Sequence, residues 1–374
     1  VNPQTGEVLF DRNGSTPAAT ASVMKVLTAS AALNVLGPNY QIPTTVVKGS
    51  QPGQVVLVGG GDLTLSSLPS GEDGYYKDAA HLSDLASQAE KAYGQPITSV
   101  VLDSSLFSGP TWLPSWDENE ERVVEGSTSY ITALQVDGDR DDPTALESPR
   151  STDPVGNVGN DFAADLDSNP SVTDGTAPAG AQQLAQVLSP PVSELVTQAL
   201  QDSDNDIMEM LARLVAIKEG KGNTFSAIDA GTKAGLAAYG IPTDGLTLVD
   251  GSGLSGDNRV PPSFLTQLMG KILARQGNLG TVYDALPVAG KSGTLGPGYD
   301  RFQGSSSIAD GSVNAKTGWI DTAYTLAGVV HSKDGTALTF AIFAEGDNVQ
   351  DDAKVAIDNL VAGIYSCGNN LSNN

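Results

Sequence analysis

The sequence predicts an α/β fold in which one domain is interrupted by a long insertion, and three observations carry that reading. A run of small and apolar residues follows Ser22, with Val23, Val26, Leu27, Leu33 and Leu36 at helical spacing. Three β-type runs lie near the C-terminus, and Asp334-Gly335 makes a hairpin turn between the second and third. Between these regions, from residue 40 to 185, short β-type runs alternate with Gly, Pro and Ser clusters. The expected division is a discontinuous domain over 1–38 and 185–374, and an inserted, mainly β region of short strands and loops over 39–184.

Taken in order, residues 6–11 read as a short strand and Pro17 opens a loop of small residues. The helix that starts near Ser22 is stopped by Gly37-Pro38. Inside the insertion, 55–58 and 99–102 read as strands and 77–93 as a helix. Residues 137–178, rich in Asp, Pro, Gly and Ser, read as loops. Helical periodicity returns at 181–201 and at 206–219, where Gly220 closes the second helix. A helix at 262–275 follows, then strands at 312–318, 323–331 and 337–344, and a last helix from 351 to 365.

The chain has 374 residues, 39% of them apolar, which is enough for two or three packed domains. Its formal net charge of -24 repels nucleic acid and anionic lipid, so neither is expected as a partner. A lone cysteine, Cys367, forms no internal disulfide and no thiolate zinc site. The 42 glycines and 21 prolines suit a loop-rich exported protein. No apolar run reaches the ~18 residues of a membrane span. The opening Val1-Asn2-Pro3 reads as a turn between strands, as expected where a leader has been trimmed.

Three short motifs carry the chemistry. Ser22-Val23-Met24-Lys25 is S-x-x-K at the start of a helix, Ser203-Asp204-Asn205 is S-x-N between two helices, and Lys316-Thr317-Gly318 is K-T-G on a strand. Each alone is weak: the first is a helix start with a surface lysine, the second an N-cap, the third a strand end. Together and in order they are the set of penicillin-binding proteins and class A β-lactamases. Ser22 and Lys25, three apart, share a helix face. A serine hydroxyl becomes a good nucleophile when a neighbour takes its proton, and a lysine can do so only as the neutral amine. Burial and a nearby cation, here Lys316, both favour that neutral form. Asn205 can hold a substrate amide, and Ser203 can relay a proton to a leaving amine. Lys316 and Thr317 can bind a terminal carboxylate. The N–H groups of Ser22 and of Trp319, the residue after Gly318, would form an oxyanion hole.

The chain resembles the penicillin-binding protein 4 family of D-alanyl-D-alanine carboxypeptidases and endopeptidases (peptidase family S13), in its actinobacterial form. The resemblance rests on the three motifs and on further stretches beginning at Thr5, Leu57, Leu188, Asp250 and Leu286. It implies a transpeptidase-like domain, an antiparallel sheet with helices on both faces, split by an insertion between the first two motifs. It also implies hydrolysis of D-Ala–D-Ala bonds in peptidoglycan stem peptides through an acyl-enzyme on Ser22, acylation by β-lactams, and a place in the cell envelope. Crosslink cleavage at the same site is the alternative activity, and a non-catalytic peptidoglycan-binding scaffold the alternative class. Two departures bear on substrate binding. Trp319 stands where the family usually has Thr or Ser, and Gly256 stands at the Arg of Leu-Ser-Arg-x-Asn, with Arg259 close by. Asp321 and Asp117 are further candidates for the substrate pocket.

Other patterns fail on inspection. Gly290-Lys291-Ser292 lacks the earlier glycine of a P-loop, and Lys291-Ser292-Gly293 reads as a loop. The acidic run from Asp137 has Asp142 and Ser148 where a calcium loop needs Gly and Glu. Neither metal nor cofactor is expected. With His81 and His331 the only histidines, both read as surface residues, a lysine base is favoured over a Ser–His–Asp triad.

Overall fold

The computed structural model describes residues 1–372. In chain order the elements are α1 (Met24–Val35), β1 (Pro43–Lys48), β2 (Gln54–Val58), α2 (Leu82–Tyr93) and β3 (Ser99–Asp103). Then come α3 (Pro154–Ala164), β4 (Ser171–Asp174), β5 (Gln183–Leu188), α4 (Val192–Asp202), α5 (Asn205–Lys218) and α6 (Ile228–Leu236). The chain closes with α7 (Pro262–Leu273), α8 (Leu279–Ala285), β6 (Val313–Ile320), β7 (Ala323–His331), β8 (Ala337–Glu345) and α9 (Asp351–Cys367). Two compact units divide it: residues 1–38, 193–222 and 226–374 form one, and residues 39–192 with 223–225 form the other. Among the described residues no helix is long and apolar enough to cross a membrane.

In the first unit, helix α1 is buried along its length from Met24 to Leu33. A helix apolar all round belongs inside a core. Small residues let its neighbours come close: a Cβ on Gly235 of α6 would lie 2.9 Å from the Ala31 Cβ. Strands β6, β7 and β8 form an antiparallel sheet in that order. Alternation along β7 turns Leu326 and Val330 into a core shared with Ile357 and Val361 of α9. The opposite face carries Ala323, packed on Ala21, and Thr325, whose hydroxyl donates to the Thr20 carbonyl oxygen at 2.8 Å. The sheet is thus covered on both faces, and the second cover holds Ser22.

The second unit is a mixed sheet in the order β4-β3-β2-β1-β5. Strand β1 runs antiparallel to β2 and β5, whereas β2, β3 and β4 run parallel. Val46, Leu57, Val100 and Leu102 bury against Leu82, Leu85 and Ala86 of α2 and against Val158 and Phe162 of α3.

Three local expectations are corrected. Residues 6–11 are not a strand; Gly6 at φ +76° closes a turn in which Asn2 N donates to the Glu7 carbonyl oxygen at 2.8 Å. The helix expected over 181–201 is strand β5 followed by α4, broken at Pro190-Pro191. The loops expected over 137–178 contain α3, which starts on an Asp153 cap and Pro154 in its first turn.

Candidate active site

Ser22 sits in a short 3-10 turn, Ala21–Val23, that leads directly into α1. The turn is tight: Ala21 has φ +42°, a left-handed conformation that costs a non-glycine residue of order 1 kcal/mol or more. Gly253 makes room for it, since a Cβ there would fall 1.9 Å from the Ala21 carbonyl oxygen. Lys25, one helical step further on, is fully buried. Its Nζ lies 2.8 Å from Ser22 Oγ, 2.7 Å from Asn205 Oδ1 and 2.9 Å from the Ser252 carbonyl oxygen.

The loop between α4 and α5 supplies the second segment. Asp204 caps α5, its carboxylate accepting from Ile207 N at 2.8 Å. That cap makes Asn205 the first residue of the helix, with its side chain on Lys25. Ser203 has φ +64°, again strained for a serine. Its hydroxyl accepts from Lys316 Nζ at 2.9 Å. Lys25 and Lys316 are therefore linked to opposite ends of the same three-residue motif.

Strand β6 supplies the third segment. Lys316 is fully buried, and its Nζ also donates to the Thr317 carbonyl oxygen at 2.9 Å. Burial holds the amine well below the usual lysine range, and the charges of Lys25 and Arg301 push the same way. Gly318 lies against the nucleophile: a Cβ on it would meet Thr325 Oγ1 at 2.2 Å and Ser22 N at 2.9 Å. Thr317 Oγ1 pairs with Thr294 Oγ1 at 2.6 Å. Trp319 is 47% exposed on strand β6 and stacks obliquely on Tyr324, centroids 6.3 Å apart.

Two contributors were not singled out from the sequence. The Ser252 carbonyl, which holds Lys25, is a backbone group and leaves no side-chain signature. Thr294 belongs to the Gly-Thr-Leu segment after Ser292, where the family resemblance was the available signal. Arg259 folds onto its own loop, Nη1 donating to the carbonyl oxygens of Gly256 (2.5 Å) and Asn258 (2.8 Å). Asp321 is exposed in the turn between β6 and β7. Gly256 faces that turn, with 3.7 Å between a would-be Cβ and Thr322 Oγ1. Asp117 lies in the second unit, where its carboxylate accepts from Glu120 N at 3.1 Å. His331 contacts the Tyr283 hydroxyl at 2.7 Å, and His81 Nδ1 lies 2.9 Å from the Leu68 carbonyl oxygen.

The arrangement is a serine hydroxyl touching a buried amine, with a second buried amine on the hydroxyl of Ser203. That is equipment for acyl transfer. Comparison with known proteins agrees. The sequence matches the D-Ala-D-Ala carboxypeptidase 3 (S13) family over residues 1–150 and 132–364. It is 40% identical over 370 residues to the carboxypeptidase DacB of Mycolicibacterium smegmatis, covering 97% of this chain and 79% of that protein. A carboxypeptidase of Mycobacterium tuberculosis is 39% identical over 371 residues, covering 97% and 78%. Among solved structures, penicillin-binding protein 4 of Haemophilus influenzae superposes with a TM-score of 0.79 at 22% identity, covering 98% of this chain and 95% of that one. The Haemophilus protein has also been solved in complex with a β-lactam. The chain belongs to the D-Ala-D-Ala carboxypeptidase (S13) family.

Proposed function

We propose that this protein is a serine D-alanyl-D-alanine carboxypeptidase that acts on peptidoglycan stem peptides outside the cytoplasmic membrane, with Ser22 as its nucleophile. The observation that carries the reading is the environment of Lys25 Nζ. Two of the groups that Lys25 Nζ touches, Asn205 Oδ1 and the Ser252 carbonyl oxygen, are acceptors. A neutral amine has two N–H bonds and one lone pair. Giving both N–H bonds to those oxygens leaves the lone pair facing Ser22 Oγ at 2.8 Å. The amine is then placed to take the hydroxyl proton as Oγ attacks.

The steps follow from that geometry. Ser22 Oγ bonds to the carbonyl carbon of the penultimate D-Ala, and its proton passes to Lys25. The oxyanion forms against the N–H groups of Ser22 and Trp319, which Gly318 keeps close. The C–N bond then breaks. The leaving amine takes a proton from the Ser203 hydroxyl, which Lys316 Nζ at 2.9 Å replenishes. Lys25 keeps the Ser22 proton until hydrolysis, when that proton returns to Ser22 Oγ and the proton of the attacking water goes to Lys316 by way of Ser203. Water hydrolyses the ester on Ser22 and restores the enzyme. Lys316 and Thr317 bind the terminal carboxylate of the substrate, with Arg259 and Asp321 at the far corner of the loop and turn. A β-lactam presents the same acyl carbon and carboxylate and acylates Ser22 in place of the peptide.

Release of D-Ala from an acyl-D-Ala-D-Ala peptide tests this. Wild type releases one D-Ala per peptide, and Ser22→Ala releases none above the uncatalysed rate while keeping its fold. D-Ala release by Ser22→Ala at the wild-type rate would overturn the assignment.

A further inference from the structure

Beneath the site lies a buried acid that the mechanism above does not use. Glu209 is one turn after Asn205 on the same face of α5, and it is fully buried. Its Oε1 accepts from Gly251 N at 2.9 Å and from Ser252 N at 2.7 Å, and its Oε2 accepts from Gly251 N at 3.1 Å. From the other side α1 grips the carbonyls of the same two residues. Thr28 Oγ1 donates to the Gly251 carbonyl oxygen at 2.7 Å, and Lys25 Nζ donates to the Ser252 carbonyl oxygen at 2.9 Å. The 251–252 segment is thus clamped between the helix that carries Lys25 and the helix that carries Asn205.

The rest of the loop is braced from within. Asp250 accepts from Gly253 N (2.9 Å), Ser255 N (2.6 Å) and Asn258 Nδ2 (2.8 Å). Asn258 Oδ1 in turn accepts from Val249 N at 2.8 Å. Those bonds set the shape of the loop, and the Glu209 bonds set where it sits on α5. A buried carboxyl beside Asp250 is expensive to keep, and burial followed by the Asp250 charge raises Glu209 to about 8. Apolar packing would fill that space at lower cost, so the acceptor oxygens need a use.

We propose that Glu209 is a positioning residue for acylation: by fixing the Gly251–Ser252 peptides it holds the Ser252 carbonyl where it aims Lys25 at Ser22. This rests on the Ser22–Lys25 reading and deepens it. A carbonyl displaced by a fraction of an ångström releases one Lys25 N–H and lets the amine rotate away from Oγ. The effect falls on the acylation rate, not on the substrate carboxylate site.

The time course of the benzylpenicillin adduct, followed by intact-protein mass at saturating drug, separates positioning from stability. A merely structural role lowers the plateau, since unfolded molecules take no adduct. A positioning role lowers the rate constant at full plateau. Glu209→Ala is expected to acylate about tenfold or more slowly at an unchanged plateau, corresponding to ~1.4 kcal/mol of transition-state stabilisation. Glu209→Gln, whose amide oxygen can accept both N–H bonds, is expected within about threefold of wild type. A wild-type rate constant in Glu209→Ala, or Glu209→Gln as slow as Glu209→Ala, overturns the proposal. If Glu209→Ala does not fold, Thr28→Val loosens the same peptide from the opposite side and is expected to slow acylation severalfold; an unchanged rate there overturns it equally. An adduct missing from the wild type overturns the Ser22 reading itself, and this inference with it.

Discussion

In the proposed mechanism Lys25 is the residue on which the chemistry turns. Replacing it with Met keeps the apolar stem and removes the base. The expected loss in acylation rate is about a thousandfold or more, with little change in melting temperature, because a buried amine is itself costly. Stopped-flow or quenched acylation of Lys25→Met checks this. Gly318 admits no side chain. In Gly318→Ala the new methyl must push Thr325 Oγ1 or Ser22 N aside, so acylation falls by about a hundredfold even where the fold survives. Trp319 makes the opposite prediction. It stands where the family resemblance implies a Thr or Ser hydroxyl for the substrate carboxylate. Trp319→Thr therefore lowers KM for an acyl-D-Ala-D-Ala peptide about tenfold, the value of a hydrogen bond to a charged group, with kcat changing less. Steady-state D-Ala release measures that split. At this scale the sequence was highly legible, because S-x-x-K, S-x-N and K-T-G are side chains at fixed local spacing. Ser252 escaped because a main-chain carbonyl acts there, and Glu209 because only the fold brings it to residue 251.

Helix α5 carries two jobs one turn apart, Asn205 on Lys25 and Glu209 on the glycine loop. Its acid leaves a signature in stability. Glu209 is raised from 4.5 to about 8, and with Asp250 beside it the pair holds a proton in the fold that the unfolded chain would give up. Folded molecules bind more protons across that window, so this contribution is complete below about 4.5 and is lost as pH rises toward 8. Wild type therefore loses on the order of 2 kcal/mol relative to Glu209→Gln between about pH 5 and pH 8, as read from urea melts. Helix α9 is tied in by another buried pair. The Arg301 guanidinium reaches Asp358 through Nε at 3.0 Å, and Phe302 N donates to the same carboxylate at 2.9 Å. Asp358→Ala strands a buried cation and is expected to cost about 3–5 kcal/mol in the same melts. Elements with strong period were legible from the sequence: α1, α5, α7 and the β6–β8 hairpins. Helix α3 was not, because Gly156 and Gly159 dilute its pattern. Yet Gly159 is what lets α3 reach the sheet, since a Cβ there would lie 2.5 Å from Leu102 Cδ1. Strand β5 was absorbed into a helical reading because six residues before Pro190-Pro191 are too few to fix a period.

At the scale of the whole chain, a protein of net charge -24 keeps two buried lysines at its candidate active site. Lys316 Nζ and the Thr317 hydroxyl offer a carboxylate local hydrogen-bond donors, while the distant field repels any anion. Long-range repulsion is screened by salt and the buried contacts are not. The second-order acylation rate with benzylpenicillin, an anion, is thus expected to rise about twofold between low and physiological ionic strength. A rate that falls with salt would mean that the site's own cations dominate the approach. The discontinuous path of the chain, leaving the first unit after Pro38 and returning at Ser193, brings residues 22, 203 and 316 into one unit. The texture change near residue 40 announced that excursion. The parallel pairing of β2, β3 and β4 inside it went unannounced, since parallel register depends on partners distant in sequence.

The most direct test of the account is to digest the benzylpenicillin-treated protein and locate the acylated residue by peptide mass. An adduct on the peptide containing Ser22, absent from Ser22→Ala, is the result predicted. An adduct on another serine, or on Ser22→Ala as readily as on wild type, contradicts it.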